Sequence, residues 1–143
     1  VQAREVTYNS APSNAKTICI IDSGYTLDHQ DLPTDGVAGY EGQANLPWDQ
    51  DGYSHGTHVA GTIAALGDND LGVIGVAPGV DLFIVRVFRD DGNWAYASSL
   101  MHALNQCELA GADIVSMSLG GGGGSNTERN AFNTAFANGM LLI

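Results

Sequence analysis

Residues 16–22 read KTICIID, and the fold of the whole chain is inferred outward from this stretch. A short apolar run bounded by turn residues is typical of a buried β-strand. The run ends in an acid, Asp22, and Ser23 and Gly24 follow it directly. The pattern therefore predicts a buried strand that ends at Asp22 and enters a turn.

Helix-like and strand-like segments alternate after this first strand. Residues 58–67, HVAGTIAALG, carry apolar side chains at spacings of four and three, which predicts a helix that stops at Gly67. Strands that alternate with helices predict a parallel sheet covered on both faces, which is a three-layer α/β/α sandwich of the α/β class. The other predicted elements are a strand at 81–88, a helix at 95–111, a strand at 113–119, a helix at 126–139 opened by a capping box of Ser125 and Glu128 and stopped by Gly139, and a strand from 140 onward.

Composition excludes several classes of function. The 143 residues suit one domain, and 44% hydrophobic with 15% charged residues suits a packed globular chain. Sixteen acids against five bases give a formal net charge of -11, and such a surface repels phosphate backbones, so nucleic acid is not expected as a partner. No apolar run reaches about 18 residues, so no membrane span is expected. The surplus of carboxylates does suit a cation such as calcium.

The two cysteines, Cys19 and Cys107, have no C-x-x-C spacing, so neither a thiol redox motif nor a zinc knuckle is indicated. Cys19 lies inside the first predicted strand, where a cysteine is often a plain core residue. A disulfide between them is possible in an exported protein, but the sequence does not show that the two side chains meet. No charged and apolar leader opens the chain, so any signal peptide is expected to be removed or never present.

Asp22 and the stretch HGTHVAGT at 55–62 carry the side chains at which chemistry is expected. Ligands of parallel sheets gather beyond the carboxyl ends of the strands, where Asp22 lies, and His55 opens the following helix at the same edge. A carboxylate there can accept the Nδ1 proton of an imidazole and hold the ring as a general base. The spacing of His55 and His58 also suits a metal site, or two unrelated polar residues on one helix face.

Three stretches, in this order, resemble the successive signatures of the subtilisin-like serine proteases. They are IIDSG at 20–24, HGTHVAGT at 55–62 and SMSLGG at 116–121, and GVIGVAPGVDLFIVRV at 72–87 is similar as well. Three ordered motifs are far more specific than any single one. The resemblance extends from about residue 16 onward and implies the subtilisin-like fold and a secreted, extracellular serine endopeptidase.

The resemblance assigns roles to the residues in these motifs. It implies that Asp22 orients His55, that His55 is the general base, and that His58 supports packing rather than chemistry. The G-T-S-M-A segment that carries the family's nucleophile has no counterpart here, and neither has the asparagine that donates to the oxyanion. None of the available serines, which include Ser23, Ser54, Ser116 and Ser118, has the sequence context of a nucleophile.

We therefore expect residues 1–143 to form the N-terminal half of a protease domain whose C-terminal remainder supplies the nucleophile. The remainder would be a partner as a second chain of a nicked enzyme, or would be missing by truncation. A non-catalytic peptide-binding fragment or pseudo-protease is the alternative. A small ligand-binding domain of the flavodoxin type is disfavoured, because no phosphate-binding glycine loop follows the first strand.

The resemblance also implies how a polypeptide substrate is held. The family binds an extended peptide as an added strand between two backbone segments, which here are Gly92-Asn93-Trp94 and Ser118-Leu119-Gly120. Tyr96 and Leu119 are expected to line an apolar pocket remote from the scissile bond. The residue before the cut is expected to be large and apolar. Taken without the resemblance, Trp94 is a loop aromatic and the glycines form a turn.

The loop LGDNDLG at 66–72 is the candidate calcium site. The resemblance implies a structural calcium ion held by Asp31 with Asp68, Asn69 and Asp70, and oxygen-rich loops are what this cation requires. The loop is one residue longer than is usual in the family, and the family's N-terminal glutamine ligand has no secure counterpart. A solvated acidic turn is the alternative interpretation.

Overall fold

The computed structural model describes residues 16–40, 46–67, 69–94, 100–121 and 123–143. Within these ranges, strands and helices alternate along the chain as the sequence predicts. No helix in the described ranges has the length and hydropathy of a membrane span. The elements are β1 (Thr17–Asp22), β2 (Val37–Gly39), α1 (His55–Ala64), β3 (Asp81–Arg86), α2 (Leu100–Leu109), β4 (Ile114–Ser116), α3 (Asn126–Ala137) and β5 (Leu141–Leu142).

The strands form one parallel sheet in the order β2-β3-β1-β4-β5, with β1 at its centre. The register pairs Asp22 at the end of β1 with Arg86 at the end of β3. The carboxyl ends of these two strands therefore lie side by side. The predicted α/β class with a parallel sheet is confirmed.

Alternate residues of β1 point to opposite faces of the sheet and seed two apolar clusters. Ile18 and Ile20 pack in one cluster with Ala60 and Ala64 of α1. The other cluster contains Cys19 and Ile21 of β1 together with buried residues of α2 and α3, which are Ala103, Leu104, Cys107 and Ala135. Helices thus cover both faces of the sheet, as the three-layer prediction requires.

A disulfide links the central strand to α2. Cys19 and Cys107 are bonded with their Cα atoms 5.6 Å apart, and both are fully buried. The sequence left this pairing open. The covalent link fixes β1, the strand that carries Asp22, against the helix on one face of the sheet.

Several predicted boundaries differ from the structure. The α1 helix begins at His55 rather than at residue 58, and it ends at Ala64 because Ala65 turns to an extended conformation. The predicted strand at 81–88 ends at Arg86, where the next two N–H groups both point at the carbonyl of Asp22. The strand at 113–119 is shorter, Ile114–Ser116, and the first residues of the helix predicted at 95–111 lie outside the described ranges. The short strand β2, Val37–Gly39, was not predicted from the sequence.

Candidate active site

Asp22 and His55 form a hydrogen-bonded pair at the carboxyl edge of the sheet. Nδ1 of His55 lies 2.8 Å from Oδ1 of Asp22. Because an ionised carboxylate only accepts, Nδ1 carries the proton, and Nε2 of the neutral ring is left as an acceptor. Asp22 is fully buried, whereas 44% of the His55 side chain is exposed. The pair can therefore take a proton on its solvent-facing side and stabilise the imidazolium on its buried side.

The Asp22 carboxylate has few other partners. Its Oδ1 also accepts the N–H of Ser23 at 2.7 Å, while Oδ2 is buried and has no hydrogen-bond partner among the described residues. The negative charge is thus compensated at Oδ1, the atom that binds His55. The sequence predicted this meeting from the strand end and the helix start.

A second buried acid, Asp51, lies at the start of α1, and the sequence analysis did not single it out. Its Oδ1 accepts the N–H of Ser54 at 2.8 Å, and its Oδ2 accepts the N–H and the hydroxyl of Thr57 at 2.8 and 2.6 Å. The available signal was an aspartate four residues before the first helical residue, since aspartate is a favoured helix cap.

A buried cation, Arg86, joins the two loops beside the pair, and it too was missed. Its guanidinium donates to the carbonyls of Pro47, Gln50 and Phe88 and pairs with Asp90 at 2.5 Å. Only 4% of Arg86 is exposed. The loop that leads to α1 is therefore held against the loop that leads to Gly92.

His58 and the serines have other environments. His58 is exposed and lines a surface groove with His29 and Val73, and its predicted packing role stays a prediction. Ser23 is fully buried, and its Oγ accepts the N–H of Gly56 at 2.8 Å. Among the described residues, no serine hydroxyl is hydrogen-bonded to His55.

The two segments predicted to hold a peptide border one cleft. Trp94 lines this cleft of about 670 Å³ together with Leu119 and Gly120. Trp94 is held edge-on by Phe88, with the ring centroids 4.9 Å apart. Tyr96 lies outside the described residues. The cleft thus brings together one residue of the first predicted segment and two of the second. Its volume is large enough for a side chain of an extended peptide.

Residues of the segment 92–94 are fixed by close contacts, whereas two residues of the segment 118–120 are exposed. Gly92 has a φ of +75° and lies so close to the ring of Tyr53 that a side chain would clash there. Asn93 is fixed by Asp91, which accepts its backbone and side-chain N–H groups at 2.9 and 2.8 Å. Hydrogen bonds from Asn93 lower the pKa of Asp91. Ser118 and Gly120, on the facing segment, are exposed.

The candidate calcium loop brings Asn69 to Asp31. The amide nitrogen of Asn69 donates to Oδ1 of Asp31 at 2.9 Å, and the N–H of Val73 donates to Oδ2 at 2.9 Å. These hydrogen bonds lower the pKa of Asp31, and that from Val73 contributes most. Asp70 adopts a φ of 57°, and Asp68 lies outside the described residues. A calcium ion requires oxygen ligands, but the groups that face the Asp31 carboxylate are N–H donors. The described arrangement therefore does not fit a calcium ion. A fit would require the Asn69 side chain to turn its amide oxygen toward the site.

The fold and these positions define a class of protein, namely parallel α/β proteins with an Asp-His pair at the carboxyl edge of the sheet. A sequence profile of the subtilase family, Peptidase_S8, matches residues 13–143. The chain belongs to the subtilase family.

Individual relatives agree with this assignment. The chain is 40% identical to subtilisin DY from Bacillus licheniformis over 87% of its own length and 44% of that protein. It is 40% identical to subtilisin E from Bacillus subtilis (strain 168) over 91% of its length and 33% of that protein. The chain thus spans less than half the length of these two relatives.

A solved structure shares the fold. This is the psychrophilic subtilisin-like protease Apa1 from the Antarctic psychrotroph Pseudoalteromonas sp. AS-11, with a TM-score of 0.81 and 50% sequence identity. The match covers 89% of this chain and 30% of that one. The subtilisin-like fold predicted from the three motifs is confirmed.

Proposed function

We propose that this chain supplies the acid and the base of a serine endopeptidase that hydrolyses peptide bonds. The observation that carries the proposal is the hydrogen bond from Nδ1 of His55 to the buried Asp22. Membership of the subtilase family supports the choice of a serine nucleophile. We call this chain together with the C-terminal remainder of the same domain the complete domain.

The proposed chemistry is acyl transfer in two steps. Nε2 of His55 takes the hydroxyl proton of the serine while the serine oxygen bonds to the scissile carbonyl carbon. The imidazolium then gives this proton to the leaving amine, and water releases the acyl group by the same route. Asp22 holds the ring in place and stabilises its charged form throughout. The serine and the oxyanion donors would come from the C-terminal remainder.

The proposed substrate is an extended polypeptide. Trp94 of one segment and Leu119 and Gly120 of the other line one cleft, and the exposure of Ser118 and Gly120 supports the addition of a peptide strand there. Main-chain hydrogen bonds of this kind give affinity without selecting a sequence. The apolar ring of Trp94 and the side chain of Leu119 would favour an apolar residue at that point of the peptide.

The proposed location is extracellular. The disulfide between Cys19 and Cys107 supports it, because buried structural disulfides persist in oxidising compartments and are rare in the cytosol.

Calcium binding through Asp31, Asp68, Asn69 and Asp70 stays a prediction. The described contacts favour a loop that holds Asp31 by hydrogen bonds without an ion. The melting temperature of the complete domain in calcium and in chelator distinguishes the two. A calcium site predicts a gain of RT ln(1 + [L]/Kd), about 2.7 kcal/mol at a hundredfold excess over Kd, whereas an ion-free loop predicts equal values.

Hydrolysis of a peptide substrate by residues 1–143 and by the complete domain tests the proposed function. We expect turnover from the complete domain and none from residues 1–143, because the acid and base have no nucleophile to activate. A complete domain without turnover, which still binds the peptide, would favour the non-catalytic alternative.

A further inference from the structure

The hydrogen bond between Asp22 and His55 joins two segments that are 33 residues apart in sequence. Asp22 is the last residue of β1, and His55 is the first residue of α1. The distance of 2.8 Å between them therefore depends on how the start of α1 is placed against the turn that follows β1. Contacts between these two backbone segments determine that placement.

The start of α1 is held by a residue upstream of the usual capping position. Ser54 immediately precedes the helix, but it has a left-handed φ of 66° and its side chain makes no capping hydrogen bond. Asp51 replaces it by accepting the N–H groups of Ser54 and Thr57. Its negative charge lies at the positive end of the helix dipole. The orientation of the first turn, including His55, is thus fixed through Asp51.

The same carboxylate is connected to the turn that follows β1. The hydroxyl of Thr57 donates its proton to Asp51. The same Thr57 oxygen accepts the N–H of Thr26 at 3.1 Å. Ser23, the neighbour of Asp22, accepts the N–H of Gly56 in the first turn of α1. One network therefore joins both sides of the Asp22–His55 bond.

Burial makes this network strong. Asp51 is 9% exposed. Burial alone would raise the pKa of Asp51, but the hydrogen bonds from Thr57 and Ser54 lower it below its ordinary value. Hydrogen bonds to an ionised, buried carboxylate are stronger than those between neutral groups.

We propose that Asp51 is a positioning residue that fixes the distance between Asp22 and His55 by joining the start of α1 to the turn after β1. The proposal deepens the proposed function and rests on it. Asp51 acts through Ser54 and Thr57 and does not touch the reacting atoms. Its loss therefore moves His55 away from the geometry that proton transfer requires, while the peptide-binding segments stay in place.

The test compares Asp51→Asn with Asp49→Asn in the complete domain. Both variants remove one negative charge from the same loop, and Asp49 makes no described hydrogen bond to α1. We expect Asp51→Asn to lower kcat about 10- to 100-fold, as a misplaced catalytic group does, and to change KM by less than about threefold. The low-field proton resonance of the His55–Asp22 hydrogen bond should shift or broaden in Asp51→Asn only.

A second pair of variants decides the question if Asp51→Asn does not fold. Thr57→Val removes the hydroxyl that joins Asp51 to Thr26, and Thr57→Ser keeps it. We expect a lower kcat and an altered resonance in the first variant and wild-type values in the second.

The proposal for Asp51 and the proposed function would be contradicted by different results. A lower melting temperature of Asp51→Asn or Thr57→Val, with kcat and the resonance unchanged, would reduce Asp51 to a helix cap and overturn the proposal. A wild-type complete domain that shows the resonance but no turnover would instead contradict the proposed function. The resonance of the variants would still decide the role of Asp51.

Discussion

The helices α1 and α3 begin in opposite ways. The start of α3 is capped within four residues, where Ser125 is extended and forms a capping box with Glu128 at the surface. The start of α1 is capped by the buried Asp51. In addition, Ser23, from another part of the chain, accepts the N–H of Gly56 in the first turn of the helix. Each start satisfies some of its free N–H groups, but among the described hydrogen bonds only those at the start of α1 connect the helix to a second segment.

This difference separates two uses of the same local chemistry. A capping box stabilises the helix that contains it and fixes nothing else. A cap whose partners lie on another element also fixes the helix relative to that element. The first residue of α1 is His55, so its position against Asp22 is part of what the cap determines. The predictions below test whether the start of α1 has a role that the start of α3 lacks.

The largest effect is expected at the first residue of α1. His55→Ala in the complete domain should lower kcat on the order of 10⁶-fold, the size of the loss when the triad base is removed from subtilisin. His58→Ala, one turn further along the same helix, should leave kcat near its wild-type value because His58 makes no described contact with Asp22. Steady-state peptide hydrolysis measures both. Equal losses in two folded variants would indicate a metal site instead.

Added methyl groups at the two helix starts should have unequal effects. A Cβ at Gly56 would overlap the carbonyl oxygen of Gly24 and lie 3.1 Å from Cβ of Asp22. We expect Gly56→Ala to lower the free energy of unfolding by about 1–3 kcal/mol, as overpacking does, and to lower kcat as well. Gly124→Ala, before α3, meets only the Glu128 side chain at 4.0 Å and should change neither. Denaturant melts and kinetics of both variants check this, and a harmless Gly56→Ala would contradict the close approach.

Acid should remove the contribution of Asp51 to stability. Its pKa is lower in the folded state than in the unfolded chain, so the contribution is fully present above the unfolded pKa and is lost as the pH falls through the folded one. The difference in free energy of unfolding between wild type and Asp51→Asn should therefore be constant near neutral pH and shrink in acid. Asp49→Asn serves as the control. A difference that grows in acid would mean that the pKa is raised.

The smallest effect is expected at the start of α3. Ser125→Ala removes the hydroxyl that accepts the N–H of Glu128, which should cost about 1 kcal/mol of stability. Because the hydrogen bonds of this cap join only Ser125 and Glu128, kcat should be unchanged. A Tm scan with parallel kinetics measures both, and a clear loss of kcat would show that the two helix starts are not different in kind.

The same comparison explains what the sequence could predict. The capping box of α3 was predicted because both partners lie within four residues, and β1 was predicted because its apolar run is unbroken. The β2 strand was missed because Val37–Gly39 is too short for a pattern and becomes a strand only by pairing with β3. The approach of His55 to Asp22 was predicted from their places at one edge of a parallel sheet.

The supporting residues were not predictable in the same way. Asp51, Ser23 and Arg86 have roles defined by partners up to 39 residues away, and no local pattern states those pairings. The disulfide was left open for the same reason, since its cysteines are 88 residues apart. Local signals thus predicted most of the elements, whereas these supporting contacts between elements had to come from the structure.

The central claim is that this chain provides the acid and base for a serine located in the C-terminal remainder. Labelling of the complete domain with a serine-directed phosphonylating reagent, followed by mapping of the labelled residue by mass spectrometry, tests it most directly. The account predicts one labelled serine beyond residue 143 and loss of labelling in His55→Ala. Label on Ser23, Ser54, Ser116 or Ser118, or labelling that persists without His55, would contradict it.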